Sequence, residues 1–181
     1  MLDFKHVFKL AGKQLVGTTM FLATLSLEPA AASAPWPDFA AINLNKEPVQ
    51  SSSLIGQRTI VIVTPSEEAA DSTQRWVEAL RSEVEEDAFR VRTLITLDLP
   101  FFVSVEAAVG DAKEVVPEEF HDQTWILDSD VLEDAIGVER GSSRAAVIIL
   151  DSQGNMVELS HGPLTEERLQ TVVKAARALN Q

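Results

Sequence analysis

The hydrophobic positions of the chain change period from one segment to the next, which predicts alternating strands and helices. Residues 59–63 form an unbroken β-branched run, apolar from Ile60 onward, as a strand does when both of its faces are buried. Residues 64–86 then place apolar side chains three and four positions apart, which predicts a helix with one buried face. A second strand is expected over residues 89–97. Together these segments predict a βαβ unit with two parallel strands.

The predicted helix carries a start signal directly after the first strand. Thr64 is followed by Pro65 and, three residues after the threonine, by Glu67. A threonine can cap a helix, proline suits the first helical position, and the glutamate completes a capping box. We therefore expect the helix to begin where the strand ends.

Less regular patterns follow in the middle of the chain. Residues 103–113 have helical spacing, and residues 117–122 indicate a loop or a helix cap. Residues 125–128 are a short apolar run, and residues 129–136 again have helical spacing. Gly137 suits the left-handed position that ends such a helix.

The last third of the chain predicts a hairpin and a helix. Residues 145–150 form a buried type of strand, and residues 151–155 carry tight-turn residues. Residues 156–159 are expected to return as the antiparallel partner. A final helix is predicted over residues 166–179, with Thr165 as its cap.

The first 34 residues have the pattern of an export signal. A basic head, residues 1–13, precedes an uncharged and largely apolar run over residues 14–27. That run is shorter than the roughly 20 residues that a helix needs to cross a bilayer, and small residues follow it. We expect a signal peptide over residues 1–34, cleaved after Ala32 or Ala34, with the sequence before Ala32 suiting the peptidase better.

This pattern predicts a periplasmic or secreted protein. An uncleaved amphipathic anchor is the alternative, and this segment would then be the protein's membrane contact. After the leader, residues 35–53 contain prolines and serines and are expected to be irregular. A single domain is expected over residues 54–181.

The amino-acid composition excludes several classes of function. The chain has 15 basic and 28 acidic residues, a net charge of −13, which removes the electrostatic basis of nucleic-acid binding. It has no cysteine, which excludes disulfides, thiolate metal sites, cysteine nucleophiles and thiol-based redox chemistry. No cofactor is predicted.

The order of the predicted elements and the amino-acid sequence of several segments resemble those of a known fold. Residues 127–138 and 144–154 look like the second half of peroxiredoxin-like and other thioredoxin-fold proteins. More narrowly, the chain resembles the exported, thioredoxin-like YtfJ family of bacteria over roughly residues 36–181. The stretches that carry this resemblance are residues 54–58, 142–151 and 151–167. The resemblance implies an α/β thioredoxin-like fold with a central mixed β-sheet flanked by helices.

The departures from the redox families concern the active site. Thioredoxins place two thiols at the start of the first long helix, and Ala69 and Ser72 fill those positions here. In the peroxiredoxin pattern P-x-x-x-T-x-x-C, Pro65 matches the proline and Ser72 replaces the cysteine. Ala145 stands near the place of the thioredoxin cis-proline, and Arg144 is similar to an arginine before the equivalent peroxiredoxin strand. Serine cannot replace the thiolate, since its alkoxide is not accessible near neutral pH and peroxide does not oxidise it as it does a thiolate.

The resemblance therefore implies a vestigial active-site region rather than catalytic residues. Its members are Thr64, Pro65, Ala69, Ser72, Arg144 and Ala145. We expect a non-catalytic binding or scaffold module whose partner, an unknown protein or small molecule, the sequence does not identify. One alternative is an enzyme or small-anion-binding protein that uses Thr64, Ser72 and Arg144 at the start of the helix.

A second alternative is a periplasmic protein that binds a divalent metal through its acidic loops. Carboxylates and one histidine cluster in two places: Glu118, Glu119, His121 and Asp122, and Asp128, Asp130, Glu133 and Asp134. Neither cluster has the ligand spacing of a zinc site or of an EF-hand. A solvated loop explains the first cluster more simply, and helix capping by Ser129 or Asp130 explains the second.

Overall fold

Within residues 34–84, 88–96 and 104–180, which the computed structural model describes, seven strands form one mixed sheet. The strands are β1 (Ala40–Asn43), β2 (Pro48–Gln50), β3 (Thr59–Thr64), β4 (Arg90–Thr96), β5 (Thr124–Leu127), β6 (Ala146–Leu150) and β7 (Met156–His161). Their order across the sheet is β2-β1-β5-β4-β3-β6-β7. The helices are α1 (Ala70–Glu83), α2 (Val105–Val115), α3 (Val131–Ile136) and α4 (Glu166–Ala178), with short 3₁₀ turns at Ser51–Leu54, Glu67–Ala69 and Glu118–Phe120.

The centre of the sheet is parallel and confirms the predicted βαβ unit. β4 runs parallel to β3 on one side and to β5 on the other. The pairs Thr64↔Ile95 and Thr96↔Leu127 bring the carboxyl ends of these strands to one edge of the sheet. β6 pairs antiparallel with β3, and β7 pairs antiparallel with β6, which confirms the predicted hairpin.

Each face of the sheet has its own hydrophobic core, because side chains alternate along the buried strands. Ile60 and Ile62 of β3 pack with Trp76 of α1 and with α4 on one face. Val61 and Val63 pack on the other face, together with α3. The continuous apolar runs of β3 and β6 follow from this double coverage.

The start of α1 differs from the prediction. Thr64 is the last residue of β3, and a 3₁₀ turn from Glu67 to Ala69 precedes α1 at Ala70. The predicted capping box formed by Thr64 and Glu67 is therefore wrong. The Thr64 hydroxyl lies under α1, 2.9 Å from the hydroxyl of Thr73, because strand pairing holds Thr64 extended and turns its side chain into the core.

The prediction that residues 35–53 are irregular is also wrong. β1 and β2 form an antiparallel hairpin, and β1 pairs antiparallel with β5 as well. The hairpin turn is held by Asn43, whose side-chain oxygen accepts a hydrogen bond from the backbone N–H of Glu47 at 2.9 Å. These residues therefore belong to the sheet. Residues 1–33 of the signal peptide predicted over residues 1–34 lie outside the described residues.

Several local signals are confirmed. Gly137 ends α3 with a φ of 67°, the left-handed conformation that favours glycine. The Thr165 hydroxyl accepts a hydrogen bond from the backbone N–H of Arg168 and so caps α4. The predicted helix over residues 103–113 is α2, shifted by two residues, and residues 85–87 and 97–103 lie outside the described chain. None of the described helices is both long and apolar enough to cross a lipid bilayer.

Candidate functional site

The candidate site lies at the carboxyl edge of the parallel strands. In α/β sheets, ligands bind outside the carboxyl ends of parallel strands, where loops diverge. Here β3 ends at Thr64 and turns into α1, while the loop over residues 137–145 leads from α3 into β6 at the same edge. The predicted residues come from these two segments.

The end of the 3₁₀ turn and the first turn of α1 hold Ala69 and Ser72, the positions at which the sequence comparison with redox proteins expects thiols. Ala69 is fully buried. The Ser72 hydroxyl is buried too, and it has no hydrogen-bond partner among the described residues. A serine acts as a nucleophile only when a general base accepts its proton. Since no base contacts Ser72, this turn has no nucleophile of the serine-hydrolase kind.

The loop before β6 is bound to the turn before α1 by two hydrogen bonds. The backbone N–H of Gly141 donates to the carbonyl of Pro65 at 2.8 Å. The Ser66 hydroxyl donates to the carbonyl of Ser142, also at 2.8 Å. Gly141 has a φ of 76°, which a residue with a side chain rarely adopts. The loop thus lies directly against the segment that leads into α1.

Ala145 lies beside Thr64 in the core. Ala146 pairs with Val63, so the residue before it comes opposite Thr64, on the face covered by α1. Ala145 is fully buried, and its carbonyl accepts a hydrogen bond from the N–H of Gly162 at 2.8 Å. Among the described residues every peptide bond is trans, so this position differs from that of a cis-proline.

Arg144 is separated from the other five predicted residues. It lines a cavity of about 210 Å³ together with Val138 and His161, whereas Ala145 packs on the α1 side. Val138 belongs to the core on the α3 side of the sheet. The structure therefore brings Thr64, Pro65, Ala69, Ser72 and Ala145 together at the start of α1, and it places Arg144 elsewhere.

Charge at the start of α1 disfavours an anion there. Glu67, Glu68 and Asp71 are all exposed in the 3₁₀ turn and the first turn of α1. A helix N-terminus attracts negative charge, but these carboxylates already supply it and repel a further anion. The predicted anion site formed by Thr64, Ser72 and Arg144 is thus opposed both by charge and by the position of Arg144.

The acidic loops do not form a metal site in the described part of the chain. No group of three histidine, aspartate or glutamate side chains there could hold a metal ion. His121 is buried, with its Nε2 2.9 Å from the carbonyl of Val116, which is a structural contact. At the start of α3, Asp130 lies at the N-cap position but its side chain makes no capping hydrogen bond, so the predicted cap is wrong. The Ser129 hydroxyl instead accepts a hydrogen bond from the N–H of Val131 two residues later, as in a serine turn.

Sequence reasoning missed that Arg144 and His161 line the same cavity. His161 pairs with Ala146 across the hairpin, which makes it the diagonal neighbour of Arg144. Diagonal neighbours in an antiparallel pair lie about 7–8 Å apart, within reach of long side chains. A register shift between Ile149 and Leu150 displaces this pairing by one residue from a count outward from the turn, so the sequence pattern alone gives no signal for it.

Neither a protein-family model nor a curated protein matches this sequence. Solved structures do match. A putative electron transfer protein from Aquifex aeolicus has a TM-score of 0.61 at 14% identity, with coverage of 81% of this chain and 94% of that one. A putative thiol:disulfide interchange protein DsbE from Chlorobium tepidum has a TM-score of 0.58 at 18% identity, covering 82% and 97%.

The pneumococcal exposed lipoprotein thioredoxin from Streptococcus pneumoniae is similar as well. Its TM-score is 0.55 at 13% identity, and the match covers 76% of this chain and 98% of that one. Identities this low are informative about the fold alone. The chain thus has a thioredoxin-like α/β fold, with a mixed sheet flanked by helices, and it contains no cysteine.

Proposed function

We propose that this protein is an exported thioredoxin-fold module that binds a partner and carries out no thiol chemistry. The observation that carries the proposal is Ser72. It stands where the resemblance to redox proteins expects a thiol, and its hydroxyl is buried without a partner. Thioredoxin-type disulfide exchange needs thiols, and the chain has none. Binding of a partner is therefore the function that we propose for this protein.

The proposed compartment and family rest on the sequence. The basic head, the apolar run and the small residues before Ala34 support export, and the stretches quoted above support a protein of the YtfJ type. One structural neighbour is described as an exposed lipoprotein, which fits this reading. Expression of the full chain in a bacterium tests it: we expect the protein in the osmotic-shock fraction with a mass that lacks residues 1–32.

The proposed binding surface is the start of α1, that is, the 3₁₀ turn over Glu67–Ala69 and the first helical turn after it. Glu67 and Glu68 are exposed there, and ligands of α/β proteins bind at this edge of the sheet. A photo-crosslinking residue introduced at Glu68 in the full chain would report a partner in the producing cell. The same residue at Lys174, which is exposed on α4, is the matched control.

We expect a discrete cross-linked product from position 68 and none from position 174. Equal products at both positions, or none at position 68, would contradict a binding role for this surface. Insulin reduction and peroxide consumption by the purified full chain provide the second readout. Turnover in either assay would overturn the proposal that the protein carries out no redox chemistry.

A further inference from the structure

The free guanidinium of Arg144 is the feature that the proposed function leaves unexplained. Seven other arginines of the described chain have a side-chain partner. Arg58, Arg90, Arg92, Arg168 and Arg177 donate hydrogen bonds, Arg81 lies over the ring of Phe120, and Arg140 pairs with Asp128. Within the described residues, only the guanidinium groups of Arg75 and Arg144 have no hydrogen bond, ion pair or ring contact. Both side chains are exposed, but Arg75 lies on the surface of α1, whereas Arg144 lines an open surface cavity.

The cavity collects side-chain hydrogen-bond donors from two segments, the loop before β6 and the end of β7. It has a volume of about 210 Å³ and is lined by Gly137, Val138, Glu139, Ser142, Arg144 and His161. His161 comes from the end of β7, next to Arg144 across the hairpin, as the pairing of Ala146 with His161 requires. The Ser142 oxygen accepts a hydrogen bond from the backbone N–H of Arg144 at 3.3 Å, which leaves the hydroxyl proton available to a ligand.

We propose that this cavity binds a carboxylate. A guanidinium presents a planar fork of donors that matches the two oxygens of a carboxylate, and such charge-assisted pairs are among the stronger hydrogen bonds of proteins. The imidazole of His161 and the hydroxyl of Ser142 add donors on the same cavity wall. No carboxylate of the described chain lies within ion-pair distance of Arg144, so the fork is available.

The surrounding charge favours a monoanion over a dianion. Glu139 also lines the cavity, and the whole chain carries a net charge of −13. Each of these repels a phosphate dianion more strongly than a carboxylate. The ligand group is a free small carboxylate or the terminal carboxylate of a peptide, and both have the same recognition chemistry. The proposal concerns the α3 side of the sheet, and the cross-linking result at the start of α1 does not decide it.

NMR titration of the ¹⁵N-labelled full chain tests the proposal. Sodium acetate is titrated at constant ionic strength against sodium chloride, and the Arg144 Nε–Hε resonance and the amides of Gly137 and Ser142 are followed. We expect saturable shifts with a Kd on the order of millimolar, as suits a ligand of a few heavy atoms. A shift that does not saturate, or that chloride reproduces, would overturn the proposal.

Variants assign the binding to the cavity. Arg144→Gln is expected to weaken acetate binding by about tenfold, the loss expected for a charge-assisted hydrogen bond. Arg75→Gln, which removes the other unpaired arginine, should leave binding unchanged. If Arg144→Gln shows the spectrum of an unfolded chain, Arg144→Lys and His161→Gln replace it, and each should weaken binding. Unchanged binding in folded variants would refute the assignment.

Two further ligands identify the source and test the charge argument. A tripeptide with a free terminal carboxylate that binds more tightly than acetate indicates a peptide terminus, and equal affinity indicates a small free carboxylate. The same tripeptide as its terminal amide should not bind. Inorganic phosphate should bind more weakly than acetate. Binding of the amide, or tighter binding of phosphate, would contradict a carboxylate site.

Discussion

Replacement of Ser72 by alanine should stabilise the protein. The Ser72 hydroxyl is hydrated in the unfolded chain, but it is buried without a hydrogen-bond partner in the folded chain. Mutational data give a cost of about 1–3 kcal/mol for burying such a group, and the helix propensity of alanine exceeds that of serine by a few tenths of a kcal/mol. Removing one oxygen atom leaves little empty volume. We therefore expect a gain of about 1–2 kcal/mol in the free energy of unfolding.

Thr73 is the matched control because it lies next to Ser72 and has the opposite hydrogen-bonding status. Its hydroxyl is 2.9 Å from that of Thr64, and both side chains are buried. Thr73→Val keeps the shape of the side chain but leaves Thr64 without its partner. This variant should lose about 1–2 kcal/mol. Two adjacent hydroxyl deletions are thus expected to change stability in opposite directions.

Urea unfolding monitored by tryptophan fluorescence measures both variants. A shift of the midpoint at constant m-value reports stability alone. Each kcal/mol also corresponds to a melting-temperature shift of about 2–4 °C in a chain of this size. A loss of stability in Ser72→Ala would refute the reasoning, since it would show that the hydroxyl is satisfied in the folded protein, by water or by another group.

Three further changes test other parts of the structure. Ala69→Cys combined with Ser72→Cys places two thiols three residues apart at the start of α1; we expect this double variant, and neither single variant, to form an intramolecular disulfide and to reduce insulin slowly in a turbidity assay. Trp76→Phe removes a fully buried indole whose N–H donates to a backbone carbonyl 3.1 Å away, and urea unfolding should show a loss of about 2–3 kcal/mol. Partial burial alone would raise the pKa of Asp151, but hydrogen bonds from the side chain of Asn155 and from backbone N–H groups of the turn outweigh it and lower that pKa. The stability that this carboxylate contributes is thus present above the ordinary aspartate pKa of about 3.9 and is lost as the pH falls through the lowered value, so Asp151→Asn should flatten the acid side of the stability profile.

Elements with strong local signals could be predicted from the sequence. β3 and β6 are buried on both faces, so their apolar runs are continuous, and α4 has both a cap at Thr165 and a regular apolar stripe. The hairpin β1–β2 has no such signal. Its strands have four and three residues, one begins with Pro48, and β1 is held by pairing with the distant strand β5. Long-range pairing of this kind leaves no local pattern.

The candidate site was predictable in part. Motif spacing identified the residues around the start of α1, but it could not show on which face of the sheet each one lies. Arg144 and Ala145 are neighbours in sequence, and the alternation of side chains at the start of β6 sends them to opposite faces. The error at Thr64 has a related cause, because a capping signal competes with strand pairing and the strand prevails here.

The pairing of β1 with β5 has a consequence for the order of folding. Ile42 finds its partner Ile126 only after two-thirds of the chain has emerged, whether the polypeptide leaves a ribosome or a translocation pore. Until then the outer side of β5 has no cover and the hairpin has nothing to pair with, and non-local closure of this kind is slow. In a truncated chain that starts at Leu54, β1 would be missing and the outer edge of β5 would stay unpaired. β5 would then be an apolar edge strand, open to pairing with other molecules and prone to aggregation.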